Sequence, residues 1–97
     1  MPVTVLAHLT VAEDQPVALA AYFKVTQPLL EAAGGRIIKR FRLTDPVVGQ
    51  MPSQTVVIVE YPSRAAVAQV FDSPEYQAII PIRDIAFPTY RISIVEE

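Results

Sequence analysis

The amino-acid sequence predicts an α+β domain in which two β-α-β units follow one another. Apolar residues alternate at every second position in short segments, which is typical of half-buried strands. Between these segments apolar residues recur every three or four positions, which is typical of amphipathic helices, and glycine and proline separate the elements. This order is that of a ferredoxin-like βαββαβ fold, with a four-stranded antiparallel sheet and its helices on one face.

The same patterns give the bounds of the elements. We expect strands at 3–11, 36–43, 54–61 and 89–95, and helices at 16–33, 64–71 and 72–86. Pro28 and Pro81 fall inside two of these helices and should bend them. Gly34 and Gly35 should end the first helix, with at least one of them at positive φ, because glycine adopts that conformation without strain.

The length and the composition together predict a homodimer. The 97 residues make one domain, 1–97, whose hydrophobic core is modest. Yet 52% of the residues are hydrophobic and the mean hydropathy is +0.33, more than so small a domain can bury. The run Val56-Val57-Ile58-Val59 is apolar on both faces of its strand. A second copy packed sheet to sheet would cover the face that the helices leave open.

The charge and the residue types argue against several classes of protein. A net charge of −2 disfavours a nucleic-acid binder. The apolar runs are too short to cross a membrane, and the N-terminus lacks the basic region of a signal peptide, so we expect a cytoplasmic protein. The chain has no cysteine and one histidine and shows no glycine-rich phosphate loop, so we expect neither a metal nor a cofactor.

Four short motifs occur in an order that resembles a known family. They are Gly34-Gly35-Arg36, Val59-Glu60-Tyr61-Pro62-Ser63, Asp72-Ser73-Pro74-Glu75-Tyr76-Gln77 and Pro81-Ile82-Arg83. In order and spacing they are similar to the dimeric α+β-barrel family catalogued as domain of unknown function 1330. The resemblance covers nearly the whole chain and implies a fold and a dimer, but no activity. The family usually carries an arginine and two glycines after the second strand; here Phe41-Arg42 follows Arg40 in place of those glycines.

Strand alternation predicts a polar group on the open face of the sheet. If Val5, Ala7 and Leu9 face the helices, His8 lies on the other side, and the same parity places Arg40 and Glu60 there. On one interpretation Arg40 binds an anionic ligand while Glu60 or His8 moves a proton. On the other, Glu60 pairs with Arg40 or Arg83, and His8 is a satisfied interface residue.

The second helical region adds two candidate ligand-binding residues. Tyr76 could donate a hydrogen bond at the mouth of a cavity, and Arg83 could bind a carboxylate or phosphate there. Alternatively, Tyr76 is a core aromatic, as we interpret Tyr22, and Arg83 pairs with Asp84 or Glu75. The cluster of Arg36, Lys39, Arg40 and Arg42 is interpreted as the charged edge of the sheet, where charge prevents further strand pairing.

Two classes of function fit these observations. The first is a cofactor-independent enzyme, of isomerase, lyase or monooxygenase type, that acts on a small anionic organic molecule. This class rests on analogy with other dimeric α+β barrels, and fold alone seldom determines chemistry. The second is a non-catalytic module that binds a metabolite or a protein. A polar-lined cavity favours the first class, and a barrel filled by side chains favours the second.

Overall fold

The computed structural model of the chain describes residues 1–96 and has the predicted order of elements. The strands are β1 (Val3–Thr10), β2 (Arg36–Arg42), β3 (Thr55–Tyr61) and β4 (Thr89–Val95), and the helices are α1 (Pro16–Ala32), α2 (Arg64–Phe71) and α3 (Pro74–Ala86). All strand pairs are antiparallel, in the order β2-β3-β1-β4. The ferredoxin-like fold is therefore confirmed. No helix within residues 1–96 is long and apolar enough to cross a membrane.

The two central strands separate a buried face of the sheet from an open one. On β1, Val5 and Ala7 are buried, and on β3 their cross-strand partners Val59 and Val57 are buried as well. Residues of the opposite parity, such as His8 and the others at alternate positions, are only partly covered. The predicted orientation of β1 and β3 is thus confirmed, with the small side chains of both strands turned towards the helices.

Serine caps set the starts of α2 and α3. The Ser63 Oγ accepts a hydrogen bond from the backbone N–H of Ala66 at 3.1 Å, and the Ser73 Oγ accepts one from the backbone N–H of Tyr76 at 3.1 Å. Each cap satisfies an amide that has no partner within its own helix. The second cap fixes Tyr76 in the first turn of α3, with its ring buried under the helices.

Strand β2 differs from its predicted orientation because its pairing is irregular. Ile37 lies opposite Val59, but Lys39 is already opposite Ile58, so Ile38 is an extra residue in the ladder. Such a bulge reverses the alternation beyond it. Arg40 therefore lies opposite Val57 on the helix side of the sheet, and the prediction that it shares the open face with Glu60 is wrong. The prediction that β2 is an edge strand is confirmed.

The predicted glycine turn joins α1 to β2. Gly34 has φ +77°, its N–H donates to the carbonyl of Glu31 at 3.0 Å, and the N–H of Gly35 donates to the carbonyl of Leu30 at 2.9 Å. A Cβ at Gly34 would lie 2.9 Å from the Pro62 Cγ, because β3 ends directly beside the turn. The turn therefore needs glycine both for its conformation and for its close packing.

This packing generates a prediction about Gly34→Ala. Left-handed backbone costs an alanine about 1–2 kcal/mol, and the contact with Pro62 adds to that cost. Gly49→Ala is the matched control, since Gly49 has φ +73° but no atom within 4 Å of the added Cβ. In urea unfolding, we expect Gly34→Ala to lower the free energy of unfolding more than Gly49→Ala does. Equal losses would show that the contact with Pro62 relaxes freely.

Candidate functional site

A cavity of about 680 Å³ lies between the helices and the buried face of the sheet. Helix α1 packs chiefly against α3 rather than against the strands, and the small side chains Ala7, Val57 and Val59 leave space beneath it. The volume is within the usual range for a small-molecule site. Most of the lining is apolar, and its polar side chains are Tyr22, Thr26, Gln27, Glu31, Arg40, Thr55, Tyr61, Tyr76 and Tyr90.

Three tyrosines from three elements meet at the β4 side of this cavity. Tyr22 comes from α1, Tyr76 from α3 and Tyr90 from β4. The Tyr22 hydroxyl lies between the other two; it is hydrogen-bonded to the Tyr90 hydroxyl and lies 3.2 Å from the Tyr76 hydroxyl. Edge-to-face contacts among the rings, with Phe87 packed against Tyr22 at a centroid distance of 5.1 Å, hold the group in place. We call Tyr22, Tyr76 and Tyr90 the tyrosine cluster.

The tyrosine cluster has one hydroxyl proton more than its internal hydrogen bonds use. Three hydroxyls carry three protons, and the two contacts through Tyr22 use two of them. All three residues line the cavity. A hydroxyl orientation that uses these two contacts alone leaves one proton for an acceptor outside the cluster, such as an oxygen atom of a ligand.

Arg83 sets the direction in which the three tyrosine hydroxyls donate hydrogen bonds to one another. Its Nη1 donates to the Tyr76 hydroxyl at 3.4 Å, and its guanidinium carbon lies 5.2 Å from the centre of the Tyr90 ring. A positive charge at the Tyr76 oxygen makes the Tyr76 O–H a stronger donor. This favours donation from Tyr76 to Tyr22 and from Tyr22 to Tyr90, so that Tyr90 holds the free proton.

Tyr22, Tyr61 and Tyr90, which line the cavity, stay protonated at neutral pH. Burial raises the pKa of Tyr22 and of Tyr90 well above the ordinary value near 10. Tyr90 and Tyr76 add to the rise in the pKa of Tyr22. Tyr76 adds to the rise in the pKa of Tyr90, whereas the hydrogen bond from Tyr22 and the charge of Arg83 oppose it. Burial also raises the pKa of Tyr61 to about 12. Burial lowers the pKa of Arg83, but Tyr76 and Asp84 outweigh it, and the net shift is upward. The site thus combines neutral hydroxyl donors with a permanent cation.

The structure places two of the five candidate residues in the wall of the cavity and a third directly behind it. Arg40 and Tyr76 both line the cavity, and Arg83 lies behind Tyr76, with its Nη2 3.2 Å from the Asp84 Oδ1. The expected pairing of Arg83 with Asp84 is present. Tyr76 combines the two proposed interpretations, because it is a core aromatic at 2% exposure that also lines the cavity.

The other two candidates, Glu60 and His8, lie on the opposite face of the sheet. Glu60 forms an ion pair with Arg36, with the Arg36 Nη2 2.8 Å from the Glu60 Oε1, and both side chains are well exposed. The expected pairing of Glu60 with Arg40 or Arg83 is therefore wrong. The bulge in β2 places Arg40 on the helix face of the sheet, and Arg83 belongs to α3, which packs on that same face, whereas Glu60 lies on the open face. His8 lies opposite Val56 and Arg91 in the ladders, also outside the cavity.

Sequence reasoning missed the contribution of Tyr22 and Tyr90. We interpreted Tyr22 as core, which its 3% exposure confirms, but its hydroxyl joins the other two tyrosines. Tyr90 stood in the last strand without an assigned role. The available signal was the residue type, since a buried tyrosine needs a partner for its hydroxyl where phenylalanine would need none.

Other parts of the surface offer less chemistry. A shallower concavity of about 380 Å³ is formed by residues 42–52 of the exposed β2–β3 connection, and it lies away from the tyrosine cluster. Among residues 1–96, no three His, Asp or Glu side chains lie close enough together to hold a metal ion.

These features define a ferredoxin-like domain with a ligand-sized cavity between its helices and its sheet. The chain belongs to the family described as domain of unknown function (DUF1330), whose model matches residues 3–97. The resemblance inferred from the sequence motifs is therefore confirmed. A search of curated proteins found no match.

Solved structures of similar fold come from several bacteria. A protein of unknown function from Rhodopseudomonas palustris is 24% identical, with a TM-score of 0.79 over 99% of this chain and 82% of that chain. A dimeric protein of unknown function with a ferredoxin-like fold, from Bacteroides fragilis, is 14% identical, with a TM-score of 0.57 over 99% and 96%. SnoaB, a cofactor-independent oxygenase from Streptomyces nogalater, is 14% identical, with a TM-score of 0.62 over 99% and 92%.

The tyrosine pKa values predict a loss of stability at alkaline pH. A pKa that is higher in the folded protein favours folding fully below the unfolded value near 10 and less as the pH rises. For Tyr61 the loss runs from pH 10 to about 12, at about 1.4 kcal/mol per pH unit. Tyr22 and Tyr90 extend it to higher pH. Urea unfolding across this range should show the decline, and Tyr61→Phe should make it shallower below pH 12. Tyrosinate absorbance from Tyr22, Tyr61 or Tyr90 in the folded protein below pH 10 would contradict this account.

Proposed function

We propose that the chain is a cofactor-independent enzyme that binds a small, mostly apolar carbonyl compound and stabilises its enolate oxygen. The observation that carries this proposal is the tyrosine cluster in the wall of an apolar cavity, with Arg83 hydrogen-bonded to Tyr76 behind it. The two contacts within the cluster use two of its three hydroxyl protons, and we propose that the third is donated to the ligand. Fixed donors aimed at an oxygen that gains negative charge lower the barrier to forming that charge. Enolate formation is the step that such donors assist.

Each part of the site has a role in this chemistry. The apolar walls lower the polarity around the ligand oxygen and thereby strengthen the hydrogen bond to it. Tyr90 donates that hydrogen bond, and Tyr22 and Tyr76 support it through the hydroxyl chain. Arg83 is a positioning residue, since it is not part of the cavity wall and acts through Tyr76. Its positive charge lowers the energy of any negative charge shared along the chain.

The substrate itself must be acidic on this proposal. Glu60 and His8, the candidate bases, lie on the other face of the sheet, and Glu31 is the carboxylate in the cavity lining. Glu31 belongs to the last turn of α1 and is exposed. A substrate whose own carbon-bound proton passes readily to water needs no strong base from the protein. SnoaB, a protein of the same fold, is a cofactor-independent oxygenase, which supports a reaction without a cofactor here.

A non-catalytic binding module is the second candidate, and the placement of Glu60 and His8 favours it. A cavity from which both candidate bases are absent can hold a carbonyl or phenol oxygen without promoting proton transfer. Binding alone therefore does not distinguish the enzyme from the binding module. Faster exchange of the proton at the reacting carbon distinguishes them, because only the enzyme accelerates it.

The enzyme proposal predicts accelerated proton exchange in a bound ketone. β-Tetralone, a small apolar ketone that enolises readily, would lose an α-proton to water and regain a deuteron from D2O. We expect the protein to accelerate this exchange, as followed by NMR, because the tyrosine cluster stabilises the enolate. Tyr90→Phe should reduce the protein-dependent rate at least tenfold, the usual scale for removal of an oxyanion donor being about 100-fold or more.

Tyr61→Phe is the matched control for this experiment. Tyr61 lines the same cavity and is 3% exposed, but its hydroxyl makes no hydrogen bond within the cluster. The variant should therefore keep its exchange rate. Binding of the ketone without faster exchange would reject the enzyme and support the binding module, and equal losses in the two variants would reject the role of Tyr90.

We also propose that the chain is a homodimer closed through the open face of the sheet. This face carries Leu6, Val56 and Ile58, none of which is covered by a helix within residues 1–96. All three residues belong to β1 and β3, the central strands of the sheet. A two-layer packing of sheets would bury these side chains. The description of the Bacteroides fragilis protein as dimeric, in the same fold, supports the proposal.

Ile58→Asp tests the proposed dimer interface. Light scattering of the unaltered protein at micromolar concentration should give twice the 10.7 kDa chain mass. Ile58→Asp should split or unfold the dimer, because it buries an unpaired carboxylate at the centre of the interface. Ile85→Asp is the control, since Ile85 is 49% exposed on α3, away from that face. A monomeric unaltered protein, or a dimer that tolerates Ile58→Asp, would contradict this interface.

A further inference from the structure

The cavity has a second polar end on the same face of the sheet, at the β2 edge, whereas the tyrosine cluster lies at the β4 edge. Arg40 of β2 and Tyr90 of β4 line the same cavity, although β3 and β1 lie between their strands. Neighbouring strands are about 4.8 Å apart and Arg40 is level with Ile92, two residues beyond Tyr90, so the two backbones are roughly 16 Å apart. Both residues have long side chains and line the cavity, so an elongated ligand contacts both polar groups where these side chains lean towards each other.

Arg40 reaches this position only because of the bulge at Ile38. In a regular ladder Arg40 would lie opposite Val56 on the open face, the face that carries Glu60; the bulge places it opposite Val57, over the cavity. Arg40 is exposed and takes part in no ion pair among residues 1–96, whereas Arg36 pairs with Glu60 and Arg83 with Asp84. Its guanidinium is thus available to a ligand.

The charges around this end of the cavity favour an anion. Arg42 lies two residues beyond Arg40 on the same face, opposite Thr55, which lines the cavity. Glu31 is the negative residue of the lining and is not within salt-bridge distance of Arg40. Two arginines against one glutamate leave the β2 end with a net positive charge. A single forked guanidinium in the wall suits the planar, two-oxygen shape of a carboxylate.

We infer that the ligand is an elongated apolar molecule with a carboxylate at the end opposite its enol or phenol oxygen, and that Arg40 binds this carboxylate. The inference rests on the proposed function for the oxygen-binding end. It adds the length and the second functional group of the substrate. A molecule with these two groups at its ends would span the cavity from β2 to the tyrosine cluster.

Two probes of equal length test this inference. Para-hydroxyphenylbutanoate carries a phenol and a carboxylate, and para-hydroxyphenylbutanamide replaces the carboxylate by a neutral amide. Isothermal titration should show the carboxylate binding roughly fivefold to tenfold more tightly, as expected for one charge-assisted contact near the surface. Added salt should reduce that difference. Arg40→Gln should abolish it while leaving the affinity for the amide unchanged.

Glu31→Gln and Tyr90→Phe complete the design. Glu31→Gln removes the opposing charge and should tighten binding of the carboxylate alone. Tyr90→Phe should weaken both probes, because both carry the phenol. If both probes bind equally and Arg40→Gln changes neither, the inference is wrong while the tyrosine site stands. If neither probe responds to Tyr90→Phe, or neither binds, the proposed function fails as well.

Discussion

The contact of Tyr22, Tyr76 and Tyr90 determines how the helices sit on the sheet. It joins α1, α3 and β4 through buried hydroxyls, and a buried hydroxyl keeps its partner because losing it costs about 1–3 kcal/mol. Because this link is made of long side chains, and because Ala7 and Val57 below it are small, the helix layer stands off from the sheet. The cavity is the space that results, and its polar wall is the same contact that creates it.

The two faces of the sheet consequently have different roles. The helix face carries the cavity, the tyrosine cluster and Arg40; the open face carries apolar side chains mixed with the exposed Arg36–Glu60 pair. On the two proposals above, a small chain with more apolar surface than one core can hold uses one face of its sheet for a ligand and the other for self-association. The bulge at Ile38 assigns Arg40 to the first role instead of the second.

Much of the fold could be predicted because local patterns and global structure agree. The alternation in β1 and β3, the glycine turn at Gly34 and the serine at position 73 that starts α3 all appear in the sequence with a direct physical meaning. The candidate site was harder to predict from the sequence. A bulge is one residue of irregular hydrogen bonding. Its only sign in the sequence was the pair Ile37-Ile38, two adjacent apolar residues where a regular alternating strand would have one. Contacts among residues 22, 76 and 90 depend on how three elements pack, which no local pattern encodes.

The central claim is that ligand binds on the helix face of the sheet, at the tyrosine cluster. Residue-resolved NMR with para-hydroxyphenylbutanamide measures this directly, because ring and amide signals report which face the probe contacts. We expect the ring signals of Tyr22, Tyr76 and Tyr90 to shift progressively and to saturate together. The ring signals of His8 and the backbone amide signal of Glu60 should change little. Shifts confined to His8, Glu60 and their neighbours on the open face would contradict it.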